Sequence, residues 1–197
     1  QGVEKRGLQM QAKGCCPVRE VVQAAPLVAL GCRPSDMPGI VETNDKRRFG
    51  LRTISGEMHI RAVQGHSLGG LDDELLYRRI ALSDNDFPEK CVHGTYWAWW
   101  QDITRRGLLA GGPDRPRCHT HGAPGDPGAP GIVTGMREDC NLALYIKIKE
   151  AITKGVAFFW TENSAIVTRG IDGCLPPRFI GRACRRSAGE WKPIAVA

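Results

Sequence analysis

The residues equipped for chemistry gather between His93 and Arg137, in HGTYWAWWQDITRRGL, PRCHTHGAPGDPG and GMR. In His93-Gly94-Thr95 the glycine lets the backbone approach a ligand closely, and the side chains beside it can hydrogen-bond that ligand. A core imidazole satisfied by the backbone is the competing reading of His93. Tyr96, Trp97, Trp99 and Trp100 follow within five residues. They suit either stacking on a base or a nicotinamide ring, or burial as one face of a helix. Arg105 and Arg106 come next, then a Gly/Pro loop with Arg115, Arg117, His119 and His121. That loop is either a phosphate clamp or a flexible basic segment. An apolar body beside cations and imidazoles suits an anionic, ring-bearing ligand. Upstream, Arg61 in HIRAVQGHSL carries a planar fork that can hold a phosphate bidentately. Spacing alone favours a solvated surface arginine. His66 either touches a ligand or caps a turn, and His59 is expected at the surface.

What the sequence lacks narrows the classes. No GxxxxGK[ST] is present, so a P-loop is excluded, and no GxGxxG follows a strand. GxSxG and HExxH are also missing. Eight cysteines are scattered without a CxxC pair, which fits free thiols in a reducing compartment. Cys118, His119 and His121 lack the second ligand pair that zinc needs, so no metal is expected. Twenty-seven Lys and Arg against 21 Asp and Glu give a charge of +6, which favours polyanionic partners without naming one. Hydrophobic content of 42% and charged content of 24% suit a soluble globular chain. No run of about eighteen apolar residues suggests a membrane span. No leader pattern opens the sequence, so an intracellular place, cytoplasm or nucleus, is expected.

The elements that must position these groups can be sketched from periodicity. Apolar spacing from Cys16 to Leu30 expects helix, broken near Pro26. Residues 36–44 expect a short helix with Pro38 in its first turn. NDKRRFGLR expects a turn into a strand, and HIRAVQGHSL an exposed strand ending at Gly65. His93 is expected to precede a Gly-Thr turn. WAWWQDITRRG expects an amphipathic helix closed by Gly107. Residues 111–131 expect loop throughout. LALYIKI, AFFW and SAIVT expect strands, with a helix at KEAITKG. Pro176 and Pro177 are expected to end the ordered core, leaving a mobile tail from Arg182.

VETNDKRRFGL, IRAVQGHSL, HGTYW, RCHTH, GMREDC and FFWTEN…IVT, in that order, resemble the RNA 2′-phosphotransferase family. The similarity runs from about Gly7 to Phe179. It implies an α+β protein: a winged-helix-like RNA-binding lobe at 1–68, a linker and entry strand at 69–92, an ADP-ribosyltransferase-like, β-rich, NAD-binding lobe at 93–181, and a tail at 182–197. The implied activity, the final step of tRNA splicing, moves the 2′-phosphate at a splice junction to NAD⁺. It leaves 2′-hydroxyl RNA, nicotinamide and ADP-ribose 1″,2″-cyclic phosphate.

By the same resemblance Arg61 and Arg117 are catalytic, gripping phosphate. His93, Gly94, Thr95, His119, His121 and Arg137 are placed at NAD⁺. Ile166 or Val167 stands where related transferases carry a glutamate, and a phosphate dianion needs no carboxylate to activate it. The partners implied are 2′-phosphorylated tRNA and NAD, with no membrane, for a monomer. The family opens with a helix ending in Leu-Arg-His, and here Gln1 stands at or beside that histidine. This expects an impaired first step or a binding protein as alternatives, beside an ADP-ribosyltransferase acting on terminal nucleic-acid phosphates.

Overall fold

The computed structural model describes residues 14–65, 72–111, 117–130, 132, 136 and 139–196. The chain divides into two units, Gln1–Leu76 and Tyr77–Ala197, and the division falls inside the stretch expected as linker.

In the first unit, strand β1 (Cys15–Pro17) leads into helices α1 (Val18–Val21) and α2 (Ala25–Ala29). After a 3₁₀ turn, Pro34–Asp36, come helix α3 (Met37–Glu42), strands β2 (Phe49–Ile54) and β3 (Glu57–Ala62), and helix α4 (Asp73–Leu76). The expected helical segment breaks before Pro26, which sits in the first turn of α2 and so removes no helical hydrogen bond. The Asp36 side chain accepts from the Arg33 backbone N–H at 2.8 Å and fixes the entry to α3. Ser55 and Gly56 both have positive φ, as a two-residue hairpin between β2 and β3 requires. The strands pair antiparallel in the order β1-β3-β2. Val18, Val22 and Met37 pack with Leu27, Cys32, Leu51 and Ile60. Ile60 therefore faces the helices, and strand alternation sends His59 and Arg61 to the opposite face.

The second unit holds β4 (Arg78–Arg79), β5 (Val92–Thr95), a 3₁₀ turn at Trp97–Trp99, α5 (Trp100–Arg106), β6 (Leu108–Leu109), β7 (Thr120–Gly122) and β8 (Leu142–Ile146). Then follow α6 (Ile148–Thr153), β9 (Phe159–Trp160), β10 (Ile166–Thr168), β11 (Cys174–Leu175), a turn at Pro177–Phe179, β12 (Ile180–Ser187) and β13 (Glu190–Ile194). Two four-stranded sheets form, β4-β9-β10-β7 and β13-β12-β8-β5, with a small pair β11-β6. A bridge between Val92 and Ala123 joins the two larger sheets beside β5 and β7.

Strand β8 shows how the core is built. Leu142 and Leu144 are fully buried on one side with Phe158, Phe179, Ile166 and Leu175. Each such side chain contributes about 1.5–3 kcal/mol on leaving water. Ala143 lies on the other side with Val92 and Cys184. Gly107 caps α5 with φ 94°, as its spacing expects.

Three expectations change. His93 lies within β5 rather than before a turn, because β8 pairs with it. Residues 120–122, expected as loop, form β7 because β10 supplies the pairing that their composition does not. The segment from Arg182 is no mobile tail. Its Ala183 and Cys184 are buried, and β12 pairs with both β8 and β13. Pro193 is tolerated because β13 is an edge strand. Mixed helix and sheet agrees with the expected α+β class.

Candidate functional site

Strands β5 and β7 bring His93 and His121 together. The Nδ1 atom of His93 lies 2.6 Å from the His121 carbonyl oxygen. A carbonyl only accepts, so Nδ1–H donates and, in the neutral ring, Nε2 is left as an acceptor. His121 pairs across the sheet with Val167, and its own Nε2 is enclosed without a hydrogen-bond partner. Burial pushes the His121 imidazole down to about 3, helped by the positive neighbours Arg117, His119 and His93, while a hydrogen bond to the His119 backbone acts the other way. His121 is therefore neutral across the physiological range.

A cavity opens between these strands, lined by Cys91, His93, Thr120, His121, Ile166 and Thr168 among others. Thr168 is held in place by donating to the Ala157 carbonyl at 2.7 Å. Burial pushes the Cys91 thiol up to about 12, so it stays protonated and is no nucleophile. His119, one residue before β7, is 1% exposed and meets the Tyr77 ring edge-on, with centroids 5.4 Å apart.

Arg61 belongs to the first unit. It is 4% exposed, where spacing alone allowed a solvated arginine, and Nη1 donates to the Leu76 carbonyl at 3.4 Å. His59, expected at the surface, is 2% exposed on the same face of β3, with Nδ1 donating to the Glu57 carbonyl at 2.9 Å. Burying a guanidinium is costly unless hydrogen bonds compensate it, as the one to Leu76 does in part.

The profile of the RNA 2′-phosphotransferase, Tpt1 / KptA family matches residues 1–170 of the chain. The chain belongs to the RNA 2′-phosphotransferase family. It is 38% identical over 187 residues to tRNA 2′-phosphotransferase 1 of Danio rerio, covering 93% of this chain and 80% of that protein. It is 37% identical over 199 residues to tRNA 2′-phosphotransferase 1 of Homo sapiens, covering 100% of this chain and 75% of that protein. The tRNA 2′-phosphotransferase of Saccharomyces cerevisiae is 31% identical over 145 residues, covering 72% of this chain and 61% of that protein.

Within the RNA 2′-phosphotransferase pattern, His93, His119, His121 and Arg117 share one electrostatic neighbourhood in the second unit. Arg117 is exposed and His121 half-buried. Arg137, Arg115 and His66 lie outside the described residues. Gly94 has a packing reason to be glycine: a Cβ there would sit 2.8 Å from both Cys140 Sγ and Met136 Cγ. Thr95 pairs with Leu142, and its carbonyl accepts from Asn141 N–H at 3.1 Å. The aromatic run is largely structural. Trp97 and Trp100 stack at 6.2 Å and pack on the core, and Tyr96 donates to Asp139 at 2.8 Å. Ile166 and Val167 are fully buried.

Sequence spacing gave no sign of Thr120, Thr168 and Cys91 at the cavity. Each lies within two residues of a motif histidine or in the strand paired with one, so register, once known, is the signal that finds them. Among the described residues no group of His, Cys, Asp or Glu could hold a metal ion, and no helix is long and apolar enough to cross a membrane.

Proposed function

We propose that this chain is an NAD⁺-dependent tRNA 2′-phosphotransferase. It takes the internal 2′-phosphate from a spliced tRNA junction and yields 2′-hydroxyl RNA, nicotinamide and ADP-ribose 1″,2″-cyclic phosphate. The observation that carries this reading is the pairing of His93 with a neutral His121, whose enclosed Nε2 is unmatched, in the field of Arg117. An unmatched buried imidazole nitrogen fits a polar group of a ligand. The names of the relatives in fish, human and yeast agree with it.

In this reading the second unit is an ADP-ribosyltransferase-like lobe. His93, Gly94, Thr95, His119, His121 and Arg137 hold NAD⁺. Bound NAD⁺ supplies an anomeric ribose carbon whose nicotinamide is a good leaving group. His121 hydrogen-bonds as a neutral ring and adds no charge of its own. His119 acts from behind, holding the strand that carries His121. Gly94 contributes backbone, since its side-chain space is filled by Met136 and Cys140. The first unit, a three-stranded sheet with four short helices, is a winged-helix-like RNA lobe. Arg61 grips the 2′-phosphate, and Arg117 is a further phosphate-binding group. A guanidinium in a desolvated place stabilises developing phosphate charge far more than one in water. The apolar pair Ile166 and Val167 leaves no carboxylate base there, and a phosphate nucleophile needs none.

Product analysis tests this. An RNA oligonucleotide with one internal 2′-phosphate, incubated with the chain and NAD⁺, yields 2′-hydroxyl RNA and the cyclic phosphate. RNA that keeps its 2′-phosphate but gains ADP-ribose at a terminal phosphate would replace the reading with end-directed ADP-ribosyl transfer.

A further inference from the structure

The β13-β12-β8-β5 sheet has a second face that none of the proposed chemistry uses. Across the register, Val92 lies opposite Tyr145, Tyr145 opposite Arg182, and Trp191 opposite Arg186. These side chains share one face, while His93, paired with Leu144, points to the other. On that second face Val92, Ala143 and Cys184 are covered by Met136, Tyr145 and Trp191. Arg182 and Arg186 are exposed at its margin, four residues apart along β12 and thus about 13 Å from one another.

Each of the two arginines is set beside an aromatic ring. The Arg182 guanidinium lies over Tyr145, 4.7 Å from the ring centroid. Arg186 faces the half-buried Trp191 across the strand pair. At the sheet's other side Arg185 lies 4.3 Å over Trp97. An arginine laid on a ring, as Arg182 is on Tyr145, loses little further freedom on binding a phosphate. From Pro176 to Ile194 the chain carries Arg178, Arg182, Arg185, Arg186 and Lys192 against Glu190 alone. Asp126, an acid whose field reaches Arg182, already accepts from Tyr145 at 2.8 Å and pairs with Lys90. All of this hairpin lies beyond residues 1–170, the part that matches the family profile.

We propose that this face, centred on Arg182, Arg186, Tyr145 and Trp191, is a docking surface for the sugar-phosphate backbone of the RNA substrate. Paired cations meet phosphates, and the neighbouring rings meet unstacked bases, a combination suited to RNA. The inference rests on the RNA-substrate reading above but can fail separately from it.

The test uses the whole chain and the double variants Arg182→Glu/Arg186→Glu and Arg182→Gln/Arg186→Gln. Fluorescence anisotropy with a tRNA-length RNA lacking any 2′-phosphate reads docking without chemistry. Turnover of a 2′-phosphorylated hexanucleotide reads the site without docking. The expected result is at least a tenfold loss of affinity for the long RNA in both variants. The slope of log affinity against log salt becomes shallower by about two, and hexanucleotide turnover is kept. Unchanged affinity and salt slope in the glutamine variant would overturn the surface. So would poly-glutamate binding as tightly as RNA and being lost in the same variants, since the partner would then be an acidic polypeptide. A wild-type chain that binds the long RNA but turns nothing over would sink the enzymatic reading alone. Anisotropy would still decide the surface.

Discussion

A histidine that cannot be charged is a different tool from one that can, and His121 is of the first kind. Its folded value, about 3, lies below the ordinary 6.5, because burial and the surrounding positive groups disfavour the proton. The folded state therefore binds fewer protons than the unfolded chain between those values. The stability contribution is complete above about 6.5 and is drawn down as pH falls toward 3. Urea unfolding at pH 7 and pH 4 should show wild type losing more stability than His121→Gln on acidification. Equal losses would show that His121 titrates normally. Arg61→Ala and Arg117→Ala should each lower kcat/KM by roughly 10²–10³, the scale of one lost electrostatic contact to the reacting group. Arg61→Lys should not restore it, because an ammonium cannot reproduce the bidentate fork. Full activity in Arg61→Ala would remove Arg61 from the site. The IRAVQGHS motif made Arg61 legible as a candidate. Its burial was not legible, since alternation in one strand says which face a residue takes and nothing of what covers that face. His59 misled for the same reason.

At the scale of elements, local signals succeeded where one residue dictates the backbone. Gly107 was readable as a helix stop, and it is held at φ 94° where a Cβ would fall 2.5 Å from the Leu175 carbonyl oxygen. Gly107→Ala should cost at least about 1 kcal/mol and lower the thermal midpoint, because the strained backbone and the clash act together. An unchanged midpoint would mean that β11 shifts freely. Pattern failed where pairing comes from far along the chain. Thr120-His121-Gly122 has loop composition, and β10 makes it a strand from more than forty residues away. The hairpin of β12 and β13 followed two prolines and looked like a tail. Ala183 and Cys184 are small, so their burial left little mark on the hydrophobic pattern.

For the whole molecule, most of the charge of +6 lies on the second unit, and a polyanionic substrate should feel it. Log kcat/KM for a tRNA-length substrate should fall linearly with log salt, and more steeply than for a 2′-phosphorylated hexanucleotide, because counterions are released at each phosphate contact. Matching slopes would mean that the protein engages only the nucleotides around the 2′-phosphate. The strand-rich character of the later part of the chain was legible in outline from its motifs. The place of division, between Leu76 and Tyr77, was not, because α4 and β4 are too short to leave a periodic trace.

The most direct measurement follows the phosphorus atom itself. An RNA carrying a radiolabelled internal 2′-phosphate is incubated with this chain, with and without NAD⁺. The account predicts that the label moves into ADP-ribose 1″,2″-cyclic phosphate, and only when NAD⁺ is present. Label released as inorganic phosphate without NAD⁺, or left on the RNA in both reactions, would contradict it.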